Sequence, residues 1–292
     1  SHWHLLNAAY NMKTLGLHAT NDLNGLLFIL FGLGAFQATN ENVGKNTFGN
    51  TVWVLLPISL FLLARFVTSA APDLPAAIIP MVYLTYLVAQ KEKSSLPVLI
   101  GLIAFTTTIK VLSVIHILAI LPLLYLTLAN KDFKAILQTI LIGSLIATPW
   151  LIRNVVQTGY LVFPMESIDL FSYDWKVPQQ LATNTRMMID THARTGSYDL
   201  TEYGKPMTFW FDTWRSAQSK SVIAIIMLVA SSSVLIMLAS FFKLAKKRIS
   251  NQVFVCISLA LTLQFSIAFW WSTGPNPRFI YAIVLFFLAY SL

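Results

Sequence analysis

One cysteine, Cys256, is all the chain holds, so no intrachain disulfide can form and no Cys-x-x-Cys pair exists to bind metal or carry redox chemistry. Charge is scarce too. Asp, Glu, Lys and Arg supply 11% of the 292 residues, where soluble domains run near about a quarter. The usual phosphate-cradling and nucleophile motifs are missing: there is no Gly-x-Ser-x-Gly, no Walker loop, no Gly-x-Gly-x-x-Gly and no His-Glu-x-x-His. Soluble-type hydrolase, nucleotide and dinucleotide chemistry is left without support. No internal repeat, low-complexity tract or short cleavable signal is visible.

What is present is apolar. Hydrophobic residues make up 56% of the chain and the mean hydropathy is +0.67. A water-soluble fold lacks the polar groups to cover that much apolar surface, and lipid is the simpler solvent. The net charge of +8 does not point to nucleic acid, because the basic residues are scattered between apolar blocks, as membrane topology requires. The chain opens on Ser1 and stops within an apolar run at Leu292, so a piece of a longer protein is expected.

A bilayer core of about 30 Å takes roughly 20 apolar residues as helix, the default spanning structure because its backbone bonds internally. Residues 23–37, 51–67, 74–89, 133–152, 221–242, 253–271 and 279–292 are candidate spans. The stretch 96–128 is too long for one comfortable span and carries Lys110 in its middle. It reads either as one very long tilted helix or as two short helices meeting at Lys110.

Short cytoplasmic loops collect Lys and Arg. The clearest is Lys243-Leu-Ala-Lys-Lys-Arg248; counting back puts 153–220 outside and Lys131-Asp-Phe-Lys134 inside. Lys91-Glu-Lys93 is basic and short as well, so both ends of 96–128 face the cytoplasm and Lys110 lies at the outer tip of a hairpin. Mid-bilayer, that lysine would cost about 2.5 kcal/mol or more. The expected fold is an all-α polytopic membrane protein of about eight to nine transmembrane helices. Residues 1–152 would form an N-terminal bundle, 153–220 an outer domain, and 221–292 the C-terminal helices. His2, His4, Asp73, Lys110, Arg153 and Arg278 then all lie at or beyond the outer face.

Residues 154–220 are dense in aromatics and turn formers, unlike a disordered linker. Long ordered loops are usually functional. A short helix over 208–215, lying on the membrane, is expected; its Trp210 and Trp214 read either as interfacial anchors or as part of a site.

Asp73, in Ser69-Ala-Ala-Pro-Asp-Leu-Pro75, reads as a helix N-cap, as a functional carboxylate, or as both. Lys110 follows Thr106-Thr-Thr-Ile and either snorkels to the interface or binds a phosphate as a point charge. Arg153 and Arg278 are each interface anchors when taken alone. With Lys110 they place three cations at one membrane level, a set suited to an anionic lipid headgroup. His2 and His4 are spaced badly for zinc, and His116 and His192 are isolated, His116 in mid-helix where polar contacts within the bundle explain it.

Several strings carry a family resemblance: Ser1-His-Trp-His-Leu-Leu-Asn7, Asn24-Gly-Leu-Leu27, Pro72-Asp-Leu-Pro75, Thr108-Ile-Lys110, Thr148-Pro-Trp-Leu-Ile-Arg-Asn154, Gly159-Tyr-Leu-Val-Phe-Pro164, Ile168-Asp-Leu-Phe171, Asp174-Trp-Lys-Val-Pro178 and Asn276-Pro-Arg-Phe279. Over its whole length the chain resembles bacterial multi-span proteins related to the C-type (GT-C) glycosyltransferases. The resemblance implies transfer of a sugar from a polyprenyl-phosphate donor to an envelope glycan, lipid or protein acceptor on the outer face of the bacterial inner membrane, with the long loop periplasmic. It implies Asp73 as the catalytic acid of a later outer loop, with the first-loop acid expected upstream of Ser1. Lys110, Arg153 and Arg278 become candidates for the lipid phosphate, and Asp174, Trp175 and Lys176 for further substrate contacts. Membrane lipids are the expected surroundings and nucleic acid is not an expected partner. A divalent cation is the one cofactor left open. The competing readings are a transporter, flippase or polymerase of lipid-linked sugars, and a non-enzymatic assembly partner.

Overall fold

The computed structural model describes residues 2–12, 22–40, 66–69, 71–89, 96–245 and 251–291. Among these every regular element is helical: α1 His2–Met12, α2 Asp22–Asn40, α3 Asp73–Ala89, α4 Leu96–Ile109, a 3-10 helix Val111–Ile120, α5 Leu121–Ala129, α6 Phe133–Thr158, α7 Gln179–Thr195, a 3-10 turn Leu200–Glu202, α8 Met207–Ala217, α9 Lys220–Ala245, α10 Asn251–Thr273, a 3-10 turn Pro277–Phe279 and α11 Tyr281–Ser291. The expected span 51–67 lies outside the described residues except at its end, as do the basic turns at 91–93 and 246–248.

The apolar stretch beginning at Leu96 breaks at Lys110, whose backbone is extended (φ −138°, ψ 116°). The residues before it explain why. Thr106, Thr107 and Thr108 turn their hydroxyls onto the carbonyls of Leu102, Ile103 and Phe105, and such back-bonding weakens and bends helices. Beyond the break the chain continues as a ten-residue 3-10 helix, longer than the usual run of three or four. It packs against both α4 and α10. Pro122 then opens α5. The Asp132 carboxylate accepts from Ala135 N at 3.0 Å and caps α6. That helix has 26 residues, about 39 Å at 1.5 Å per residue, and runs through Arg153 to Thr158. Gly159 ends it in the left-handed region (φ 77°). A Cβ there would lie 2.5 Å from Lys176 Cγ, so glycine is required for conformation and for space.

Two described stretches are long and apolar enough to cross a membrane, Val111–Ala129 and Phe133–Thr158. A third exists if Met207–Ala217 and Lys220–Leu235, bent by 114°, count as one span. The expected eight to nine crossings are therefore not what the described helices support. Hydropathy counts apolar runs, but α3 and α4 are only 17 and 14 residues long, below the roughly 18 that mark a span. The exposed surface of α6 matters more than the number. None of its residues is buried, and Phe133, Leu137, Ile140, Leu145 and Ile152 all face outward, Leu145 at 74%. Contiguous apolar surface of this kind suits lipid.

The core lies among the other helices, including α4, on which α6 packs. Ile283, Val284, Leu285, Phe286 and Phe287 of α11 are buried against Leu74, Ile78, Met81 and Leu84 of α3 and Leu259 and Leu263 of α10. Trp210 and Trp214 of α8 belong to the same core, 6% and 7% exposed. They meet Trp270 and Trp271 with centroid separations from 5.2 to 6.2 Å. Trp214 Nε1 also donates to the Pro275 carbonyl at 2.5 Å. The helix expected over 208–215 is present, and its two tryptophans pack it onto the bundle instead of keeping a wet edge.

Candidate functional site

The site begins with a clamp. The Asn24 carboxamide accepts from Trp3 Nε1 at 2.7 Å and directs its amide at the carbonyls of Phe66, Ser69 and Ala71. One side chain thereby fixes α1, α2 and the segment that leads into α3. Asp73 follows in the first turn of α3, where the helix dipole favours a carboxylate. Asp73 Oδ1 takes a charge-assisted hydrogen bond from Lys110 Nζ at the break after α4. Arg278, in the short 3-10 turn that precedes α11, brings Nη1 to 3.9 Å from Asp73 Oδ2. Asn276 supports that turn by accepting from Arg278 N, and its own carbonyl accepts from Trp270 Nε1 at 2.8 Å. One carboxylate and two cations thus meet where helix ends converge, with side-chain exposures of 9% for Asp73, 15% for Lys110 and 38% for Arg278.

Beneath the trio lies a narrow recess, a cleft of only about 10 Å³ with room for about one water. Besides Lys110 and Arg278 its polar lining is Ser113, His116 and Ser266. The Ser266 hydroxyl is buried without a hydrogen-bond partner. His116 Nδ1 shares a hydrogen bond with the Tyr83 hydroxyl, both side chains buried. Two cations, two hydroxyls and an imidazole around one opening form a donor-rich lining, the chemistry that receives an anion.

The other expected site residues are placed differently. Arg153 lies within α6, close enough to His4 that its charge adds to burial in lowering the imidazole pKa. Lys176 pairs with Asp169, donates to the Phe171 carbonyl at 2.7 Å and covers the Tyr160 ring. Trp175 stacks on Tyr173 at 4.5 Å and is exposed, as is Asp174. None of these three forms a hydrogen bond, ion pair or ring contact with the trio; Lys176 instead closes the turn at Gly159. His192 stacks on Tyr198 at 4.3 Å, and its Nδ1 lies 3.1 Å from the Gly196 carbonyl oxygen. Sequence reasoning missed Tyr83, Ser113 and Ser266. All three are ordinary residues of apolar helices, and only packing brings them to the cleft.

A divalent cation does not fit this arrangement. Lys110 already occupies Asp73 Oδ1 and Arg278 faces Oδ2. Among the described residues no three His, Cys, Asp or Glu side chains are grouped to share an ion.

A family model described as a domain of unknown function, DUF8201, matches residues 1–285. The chain belongs to that family. No curated protein and no solved structure matches it. The DUF8201 match covers the trio, the cleft and the polar segment between α6 and α9 alike, so the family unit contains the whole candidate site.

Proposed function

We propose that this DUF8201 protein is a membrane glycosyltransferase that takes a sugar from a polyprenyl-phosphate donor and passes it to an envelope acceptor. In this reading the shorter apolar helices cross the bilayer together with the two long ones, and the segment 159–219 faces the periplasm. The observation that carries the reading is the convergence of Asp73, Lys110 and Arg278 over a donor-lined cleft. Two cations against one carboxylate leave a net positive charge, suited to a lipid phosphate at the membrane surface.

The chemistry follows from that placement. A donor phosphate settling between Lys110 and Arg278 competes for the amine that Asp73 holds and frees the carboxylate. The bond between the sugar's anomeric carbon and the phosphate oxygen breaks with its electron pair going to the phosphate. Lys110 and Arg278 stabilise the charge as it develops. The acceptor oxygen bonds to the anomeric carbon and its proton passes to Asp73. The products are the polyprenyl phosphate and the glycoside.

The test is transfer of labelled sugar from polyprenyl-phosphate donors by the full-length protein in proteoliposomes. Asp73→Asn and Lys110→Met should each lower the transfer rate by about 10²–10³ at matched amounts of folded protein, the usual effect of removing one preorganised charge-stabilising group. Wild-type rates in both variants would remove the site. Uptake of label with no transferred product would select a carrier instead.

A further inference from the structure

A second cleft, of about 320 Å³, opens between the polar segment and the end of α10. This is within the range of small-molecule sites. Trp210 and Trp271 form one wall, their rings 5.5 Å apart and inclined by 52°. Tyr203 adds another ring, held from behind by Arg186, which donates to its hydroxyl at 3.1 Å. The charged lining balances: Asp190 and Glu202 against Arg194 and Lys205. Arg194 is engaged by Asp190, by the Ser272 carbonyl at 2.8 Å and by the Trp210 face at 5.6 Å.

Two polar atoms in this lining are left over. Thr191 is 2% exposed and its Oγ1 has no hydrogen-bond partner, although a helical threonine ordinarily turns that hydroxyl onto its own backbone. Glu202 Oε2 is likewise buried and unpartnered. Buried polar atoms without partners are uncommon, and each calls for something that completes it. Here both belong to one cleft.

We infer that this cleft binds a pyranose sugar, and that it holds the acceptor glycan of the transfer reaction, a role that rests on the reading above. A sugar offers what the lining lacks. Its ring hydroxyls can donate to Glu202 Oε2 and exchange hydrogen bonds with Thr191 Oγ1, while its C–H face lies against the half-buried Trp271 indole, the Trp210 face being taken by Arg194. A phosphate would meet two carboxylates with no excess of cations. A purely apolar ligand would leave both orphaned atoms unpaired.

The experiment is saturation-transfer NMR on the full chain in nanodiscs, with methyl glucoside, galactoside, mannoside and N-acetylglucosaminide as probes. Wild type should bind at least one of them. Thr191→Val keeps the side chain's shape and removes an unbonded hydroxyl, so its melting temperature should not fall while its Kd rises about tenfold, the loss expected for one hydrogen bond. Glu202→Gln should weaken binding in the same direction. Lys110→Met should bind the probe as wild type does while losing transfer. No binding by wild type, or unchanged affinity in both Thr191→Val and Glu202→Gln, overturns the cleft and leaves the Asp73–Lys110–Arg278 site standing. Loss of probe binding in Lys110→Met would show a single site and also overturn it.

Discussion

Helices α6 and α7 are consecutive in the chain and are built for opposite solvents. In α6 no residue is buried, yet leucine, isoleucine, valine and phenylalanine cover its outside. In α7 polar and charged side chains pair with one another, Arg194 with Asp190, Arg186 across to Glu166 and Gln180 donating to Asn184 at 2.9 Å, beside the exposed Leu181, Met188 and Ile189. A loop of twenty residues, Gly159 to Pro178, separates them, closed by Lys176 over Tyr160 and by the Tyr160 hydroxyl donating to Val177 O at 3.2 Å. If α6 crosses a bilayer, the contrast puts the boundary between lipid and water in the loop between the two helices. The Asp73–Lys110–Arg278 trio is gathered among apolar helix ends, whereas the Arg186–Glu166 pair lies on the polar segment with its arginine 43% exposed.

The largest effect expected from this contrast is a lysine placed on each helix. Leu145 is 74% exposed and Leu181 is 54% exposed, so in water the two substitutions would be equally mild. If α6 crosses a bilayer, Leu145→Lys costs about 2.5–3.5 kcal/mol of insertion free energy, while Leu181→Lys stays within about 0.5 kcal/mol. Membrane-insertion yield of the two variants, read by protease protection, measures the difference. Equal yields would place α6 in water and remove the lipid reading.

The ion pairs give the next contrast. Lys110→Met leaves the buried Asp73 carboxylate with the longer-range help of Arg278 at 3.9 Å, and a loss of about 3 kcal/mol is expected, the lower end for a broken buried pair. Arg186→Met removes the partner of Glu166 where the arginine side chain is 43% exposed, and costs less than about 1 kcal/mol. Thermal melts of both variants in the same detergent decide it. Similar shifts would mean that the trio is as well solvated as the surface pairs.

How much of this was legible beforehand depended on whether a feature was local. The interruption at Lys110 is written in its own neighbourhood, a cation after three threonines inside an apolar run. The start of α3 is written in Pro-Asp-Leu-Pro, and the short helix leading into α9 in its aromatic spacing. What stayed hidden arises from packing between distant segments. Trp210 and Trp214 carry no sign that Trp270 and Trp271 will receive them, 56 or more residues later by their numbering. Ser266 and Tyr83 look like minor polar substitutions in apolar helices until α10 and α3 are brought against the 3-10 helix. The adjacent tryptophans before Gly274-Pro-Asn-Pro277 were the one available signal of a docking point. The described helices support two or three crossings where eight to nine are expected, because hydropathy registers an apolar run without its length as helix, and α3 and α4 have 17 and 14 residues.

The smallest effect separates the two solvents by pH. Arg186 donates to both Glu166 oxygens, at 2.9 and 3.1 Å, and this hydrogen bonding holds the Glu166 carboxyl below its ordinary value. A carboxylate whose pKa is lowered by folding binds fewer protons when folded than when unfolded. Its contribution is therefore complete above the unfolded value of about 4.3 and drains away as pH falls through the lower folded value. The difference in melting temperature between wild type and Glu166→Gln should be constant from pH 7 to about pH 5 and close toward zero below about pH 4. The pair is worth less than about 1 kcal/mol, so the closing amounts to a few degrees at most. A difference that persisted undiminished at pH 3 would show that Glu166 stabilises α7 through its shape and not its charge.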